Sequence, residues 1–215
     1  SIQYAQHELE VSEHGDLRRR ADDIAALHEA SGMPPKEIVA ELYIDAREYD
    51  TALDLIASVE TPYSPAETAH AAIASTDIAT LEAHWFRGDF EAIDAMLPRV
   101  VATFEEYRDE NQQMSLIGEA LLAVMGKRYT IAENAVARWL RESTVDLAAR
   151  ALAFPYACQV LGQAAAARAA ADCIRRGLSE PSLIRPFVDP QLPYYDAIRD
   201  SAEFQALLEE IEARW

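Results

Sequence analysis

In segment after segment of this chain, apolar residues recur at three- and four-residue intervals, the spacing that gathers them on one stripe of an α-helix. β-Branched residues seldom cluster, so no strand signal competes with that period. Glycine is scarce, at 7 of 215 residues, and alanine is abundant, which together favour long uninterrupted helices. Gly, Pro and turn residues mark off segments at 16–30, 48–58, 66–87, 90–109, 112–126, 130–142, 145–161 and 163–178, with another helix begun by Pro34-Pro35. The first carries Leu17, Ile24 and Leu27 on one stripe and stops at Ser31-Gly32. The Pro34-Pro35 helix presents Ile38, Val39, Leu42 and Tyr43, and the next presents Tyr49, Ala52, Leu53 and Ile56 after almost no gap, which implies a tight antiparallel hairpin. Thr61-Pro62-Tyr63-Ser64-Pro65 is the clearest connector.

Four junctions between helices align with one another. They are Ala46-Arg47-Glu48-Tyr49, Arg87-Gly88-Asp89-Phe90, Gly126-Lys127-Arg128-Tyr129 and Leu161-Gly162-Gln163-Ala164. In this register the last residues of the four lie 41, 39 and 35 positions apart, the spacing of irregular helical repeats. Ala40 and Tyr43 precede Tyr49 and Ala52, and Ala120 and Ala123 precede Tyr129 and Ala132, so small residues and aromatics flank these two turns, while Ile93 replaces the turn alanine of the second and Ala164 the aromatic of the fourth. The pattern resembles the tetratricopeptide repeat. That resemblance implies an all-α fold, an α-α superhelix of antiparallel hairpins forming a right-handed solenoid with a capping helix. It divides the chain into an N-terminal helical extension over 1–33, four degenerate hairpins over 34–180 and a connector with capping helix over 181–215.

The C-terminal stretch supports the capping role. Pro190 and Pro193 make an extended connector, Asp200 or Ser201 can cap the last helix, and Phe204, Leu207, Leu208 and Ile211 share a stripe. The segment is similar to the tails that close tetratricopeptide arrays in bacterial winged-helix transmembrane regulators, adenylate cyclases and kinases. That similarity implies a regulatory or signalling domain, cytoplasmic in a soluble regulator or cyclase and periplasmic in a transmembrane one.

The charge excludes whole classes of partner. With 37 Asp+Glu against 19 Lys+Arg the chain carries −18, and such a field repels phosphate backbones and anionic headgroups. Direct nucleic-acid binding is therefore not expected, and no apolar run approaches the ~20 residues of a membrane span. Acidic residues far outnumber basic ones between Glu8 and Glu60, whereas residues 132–185 are nearer balance. The one compact basic run, Arg18-Arg19-Arg20, lies among Asp16, Asp22 and Asp23 and is explained by pairing along one helix.

Nothing in the spacing of reactive residues points to chemistry. His7, His14, His28, His70 and His84 form no His-x-x-x-His pair, Gly-rich phosphate loops are absent, and adjacent acids such as Asp22-Asp23 and Glu105-Glu106 diverge around a helix. No catalytic residue, metal or cofactor is expected. Cys158 and Cys173, in Ala-rich helical segments, read as small buried thiols with no disulfide framework. The function expected is protein or peptide binding. The tetratricopeptide resemblance puts Glu41 and Asp45, then Trp85 and Phe86, then Met125 and Tyr156 on a partner-binding groove, acidic at one end and apolar at the other. Such a groove suits a basic or amphipathic partner, and Trp85 is the expected exposed anchor. The alternative expectation is a ligand-sensing regulatory domain of a bacterial transcription regulator or adenylate cyclase.

Overall fold

The structure, a computed structural model, describes residues 16–32, 36–59, 76–107, 112–142 and 147–214. Among these residues every regular element is helical, as the periodicity predicts, and no helix is long and apolar enough to cross a membrane. The expected starts at Pro34-Pro35 and Ala66, and the connector Thr61 to Pro65, lie outside the described residues. The chain divides into two compact units, residues 1–107 and 108–215.

The first unit contains α1 (Leu17–Ser31), α2 (Lys36–Asp45), α3 (Tyr49–Ala57), α4 (Thr76–Arg87) and α5 (Phe90–Tyr107). Asp16 caps α1 by accepting from the Arg19 N–H at 2.9 Å, and the helix stops at Gly32, whose N–H donates to the His28 carbonyl. Helix α2 packs on α1, α3 and α4. The shared core is built from Ala21, Ile24, Val39, Leu42, Tyr43 and Ile44, with Ala40, Ala52, Ala79 and Ala83 where helices approach closely. Tyr49, at the start of α3, stacks on Phe86 of α4 with ring centroids 5.9 Å apart, so an aromatic at one turn fills space against the following hairpin. Arg99 of α5 reaches back to both carboxylate oxygens of Asp77 on α4, each at 2.9 Å.

The second unit contains α6 (Gln112–Met125), α7 (Tyr129–Glu142), α8 (Leu147–Gln163), α9 (Ala167–Ser179), two 3₁₀ turns (Asp189–Gln191 and Pro193–Ile198) and α10 (Ala202–Arg214). Helix α8 packs on α6, α7, α9 and the second 3₁₀ turn, and α10 packs on α9. Trp139 and Phe154 are fully buried and meet edge to face at 5.7 Å. Arg150 is also buried. Its guanidinium lies 5.3 Å from the Phe154 ring centre and 5.9 Å from that of Trp139, and it donates to Glu180 at 2.6 Å.

One turn geometry closes all four hairpins. In each, the N–H of the last turn residue donates five positions back: Glu48 to Tyr43, Asp89 to His84, Arg128 to Ala123 and Ala166 to Leu161, at 2.7 to 3.0 Å. The residue before it is left-handed, Arg47, Gly88, Lys127 or Ala165, with φ between 56° and 78°. Together these bonds satisfy helix-end carbonyls that would otherwise lack partners.

The fourth turn corrects the register expected from the sequence. It falls at Ala164 to Ala166, not at Gly162, so Ala167 is the counterpart of Tyr49, Phe90 and Tyr129, and the repeat intervals become 41, 39 and 38. Gly162 looks like a helix stop and is a packing residue instead. A Cβ there would sit 2.5 Å from the Tyr194 carbonyl oxygen and 2.6 Å from Tyr195 Cδ1, so only glycine lets α8 lie against the second 3₁₀ turn. Ala165, by contrast, holds a conformation that costs a residue with a Cβ about 1–2 kcal/mol. Ala165→Gly is expected to stabilise the chain by about 0.5–1 kcal/mol after the extra chain entropy of glycine is subtracted. A higher urea midpoint checks this, and an unchanged or lower one contradicts the turn.

The same register explains a second correction. Cys158 and Cys173 are joined as a disulfide, with Cα atoms 5.4 Å apart, and are not free thiols. They flank the turn at Ala165 almost symmetrically, which places them opposite one another on α8 and α9. With the turn read at Gly162 they are not facing positions.

Glu180 is held below the usual carboxylate range chiefly by its hydrogen bond from Arg176, which outweighs the opposing effect of burial and is supplemented by a smaller contribution from the Arg150 hydrogen bond. A depressed folded-state value means that this contribution is fully present above the ordinary carboxylate pKa of about 4.3 and disappears as pH falls through the folded value. Glu180→Gln is therefore expected to melt lower than the parent at neutral pH, with the gap closing in acid. Thermal melts at several pH values check this, and a gap that persists at about pH 2 contradicts it.

Candidate functional site

A cleft of about 330 Å³ opens between α1, α2 and α3 of the first unit. Helical spacing explains its walls. Ala25, His28 and Glu29 share one face of α1, Val39 and Tyr43 are one turn apart on α2, and Thr51, Asp54, Leu55 and Ser58 follow the three- and four-residue rhythm along α3. The floor is apolar, made by Ala25, Val39, Leu55 and the buried ring of Tyr43. Glu29 and Asp54 are exposed and bring carboxylates from two different helices. Among the described residues neither carboxylate has a hydrogen-bond or ion-pair partner.

The frame of the cleft is held by Arg18. Its Nε lies 3.1 Å from both carboxylate oxygens of Asp22, its Nη1 pairs with Glu48 and its guanidinium sits 5.7 Å from the centre of the Tyr43 ring. Tyr43 in turn donates to Asp22 at 3.2 Å, and burial, more than that hydrogen bond, raises its pKa. The basic run does pair along its helix, Arg18 with Asp22 and Arg19 with Asp23 at 3.7 Å. Arg18 also ties α1 to the start of α3, and Arg20 is buried, neither of which spacing alone predicts. Lys36 donates to the Ser58 carbonyl and hydroxyl, both at 3.0 Å, covering the C-terminal end of α3.

The charge of the chain resides almost wholly in this unit. Residues 1–107 hold 22 acidic against 7 basic residues, a net −15, while residues 108–215 hold 15 against 12, a net −3. Within the first unit the field is attractive to cations and opposes anions.

The residues that the resemblance puts on a groove have varied places. Glu41 and Asp45 lie half-buried on α2, and Trp85 and Phe86 half-buried on α4. Trp85 is edge-on to Phe90 at 5.5 Å and Phe86 stacks on Tyr49, so both rings serve packing inside the unit and neither stands clear as an exposed anchor. Met125, in the second unit, is 1% exposed and belongs to the core, because the last turns of α6 are buried on every side, from Ala120 to Met125 without a break. Tyr156 is 42% exposed on α8. The cleft itself is lined by residues that sequence reasoning assigns to the core or passes over. Asp54 and Glu29 belong to no adjacent acid pair and carry no motif, so the available signal is only that Asp54 follows Leu53 of one apolar stripe and Glu29 stands two positions after Leu27 of another. Among the described residues, no three His, Cys, Asp or Glu side chains gather as a metal site. No protein-family model, curated protein or solved structure matches the chain.

Proposed function

We propose that the chain is a binding array of tetratricopeptide-like hairpins that captures a basic or amphipathic protein or peptide, acting by recognition and not by catalysis. The observation that carries this reading is the concentration of charge. A unit of net −15 that also exposes an apolar-floored cleft offers both attraction at a distance and a surface to desolvate on contact. The repeat architecture is supported by the common turn of the four hairpins and by their packing. Within each unit the first helix of the later hairpin touches both helices of the earlier one, α4 on α2 and α3, and α8 on α6 and α7. In the first unit small residues and the turn aromatic Tyr49, stacked on Phe86 of the next hairpin, occupy those contacts, as such stacking requires. The disulfide favours the extracytoplasmic arm of the regulatory reading, since disulfides persist in oxidising compartments.

The test is fluorescence anisotropy of the full chain with a short labelled peptide carrying Leu on one helical face and Lys on the other. Saturable binding is expected, weakening several-fold as salt rises, with a Glu-for-Lys version of the peptide failing to bind. Equal binding of the two peptides, or binding of neither, contradicts the proposal.

A further inference from the structure

Resting on that reading, we infer that the cleft between α1, α2 and α3 receives one lysine or arginine side chain of the partner polypeptide, its methylene stem on Ala25, Val39 and Leu55 and its cation between Glu29 and Asp54. Size sets the first limit. A volume of about 330 Å³ is at the lower end of what ligand pockets span, room for one long side chain or a small amine and not for a helix. The partner's backbone therefore stays outside while a single residue enters.

Wall chemistry sets the second limit. A wholly apolar side chain would fill the floor but take two carboxylates partly out of water without compensation, which is unfavourable. An anionic group meets both those carboxylates and the field of the unit. Lysine and arginine alone combine an apolar stem with a terminal cation, and they lie along apolar surface in just that manner. Nearby cations do not already fill the role. Arg18 is engaged with Asp22 and Glu48, and Lys36 with Ser58, so neither of these two permanent cations neutralises Glu29 or Asp54, and His28 is the one basic side chain in the lining itself. The source is a polypeptide and not a free amine because the surrounding charge acts on a partner with several cations, of which the cleft takes one.

The inference is tested with the full chain, the Leu/Lys peptide and cadaverine. Glu29→Gln with Asp54→Asn, both exposed and near-isosteric, is expected to weaken peptide binding about tenfold at low salt with an unchanged helical circular dichroism spectrum. In the unsubstituted chain, methyl-labelled for NMR, the Val39 and Leu55 signals should shift as peptide is added. Peptide binding of undiminished strength in the double variant, with methyl signals that stay in place, overturns the cleft assignment while leaving the basic-partner reading intact. No peptide binding to the parent chain overturns both. Cadaverine that binds as tightly as the peptide, with the same methyl shifts, overturns the polypeptide source and makes a free amine the occupant.

Discussion

Phe204→Ala is expected to lower the stability of the second unit by about 3–5 kcal/mol, the range for emptying a fully buried aromatic site. Phe204 is 0% exposed and its ring stacks on Tyr195 at 5.4 Å, while Leu207 and Ile211 continue the same stripe of α10. Tyr195 is itself buried, its hydroxyl pushed well above the usual range by desolvation, and it lies against Gly162 on α8. Removing the Phe204 ring thus loosens α10, the second 3₁₀ turn and α8 together. On the outer side Arg175 clasps Glu210 with bonds of 2.6 and 2.9 Å, but that pair is largely exposed and contributes little by comparison. Urea unfolding measures the loss. Glu209→Ala on the exposed face serves as the control and should stay within about 0.5 kcal/mol of the parent. A Phe204→Ala chain as stable as that control contradicts the packing of the C-terminal helix.

Replacing Cys158 and Cys173 together by alanine is expected to cost about 3 kcal/mol, because the bond closes a loop 15 residues in separation and restricts the unfolded chain. For a unit of this size that corresponds to a melting temperature lower by more than about 10 °C. Reductant should produce the same loss in the parent and none in the variant. Two reactive thiols in the unreduced, denatured parent would contradict the bond. The cost falls on the hairpin of α8 and α9, whose turn lacks both the glycine of the second hairpin and the aromatic of the first three.

The helices were legible in the sequence because their period is local. The stop at Gly32 and the three turns at Arg47, Gly88 and Lys127 depend on residues within a few positions of one another, and each lies where spacing predicts. The fourth turn was not, since Gly162 carries the same letter as a helix stop and serves a contact with Tyr194 and Tyr195 more than thirty positions away. That single displacement hid the facing of the two cysteines. The site shows the same division. Spacing tells that Val39 and Tyr43 share a face of α2, but not that this face and those of Glu29 and Asp54 border one cleft. For a similar reason Met125, which the tetratricopeptide resemblance puts on a groove, is buried once α6 is packed.

The most direct measurement of the central proposal, capture of a basic partner by the acidic first unit, is amide hydrogen exchange of the full chain with and without the Leu/Lys peptide. Added protection is expected in 17–31 and 36–58, the segments that border the cleft, with residues 167–214 unchanged. Protection confined to residues 112–214, or none at saturating peptide, would contradict it.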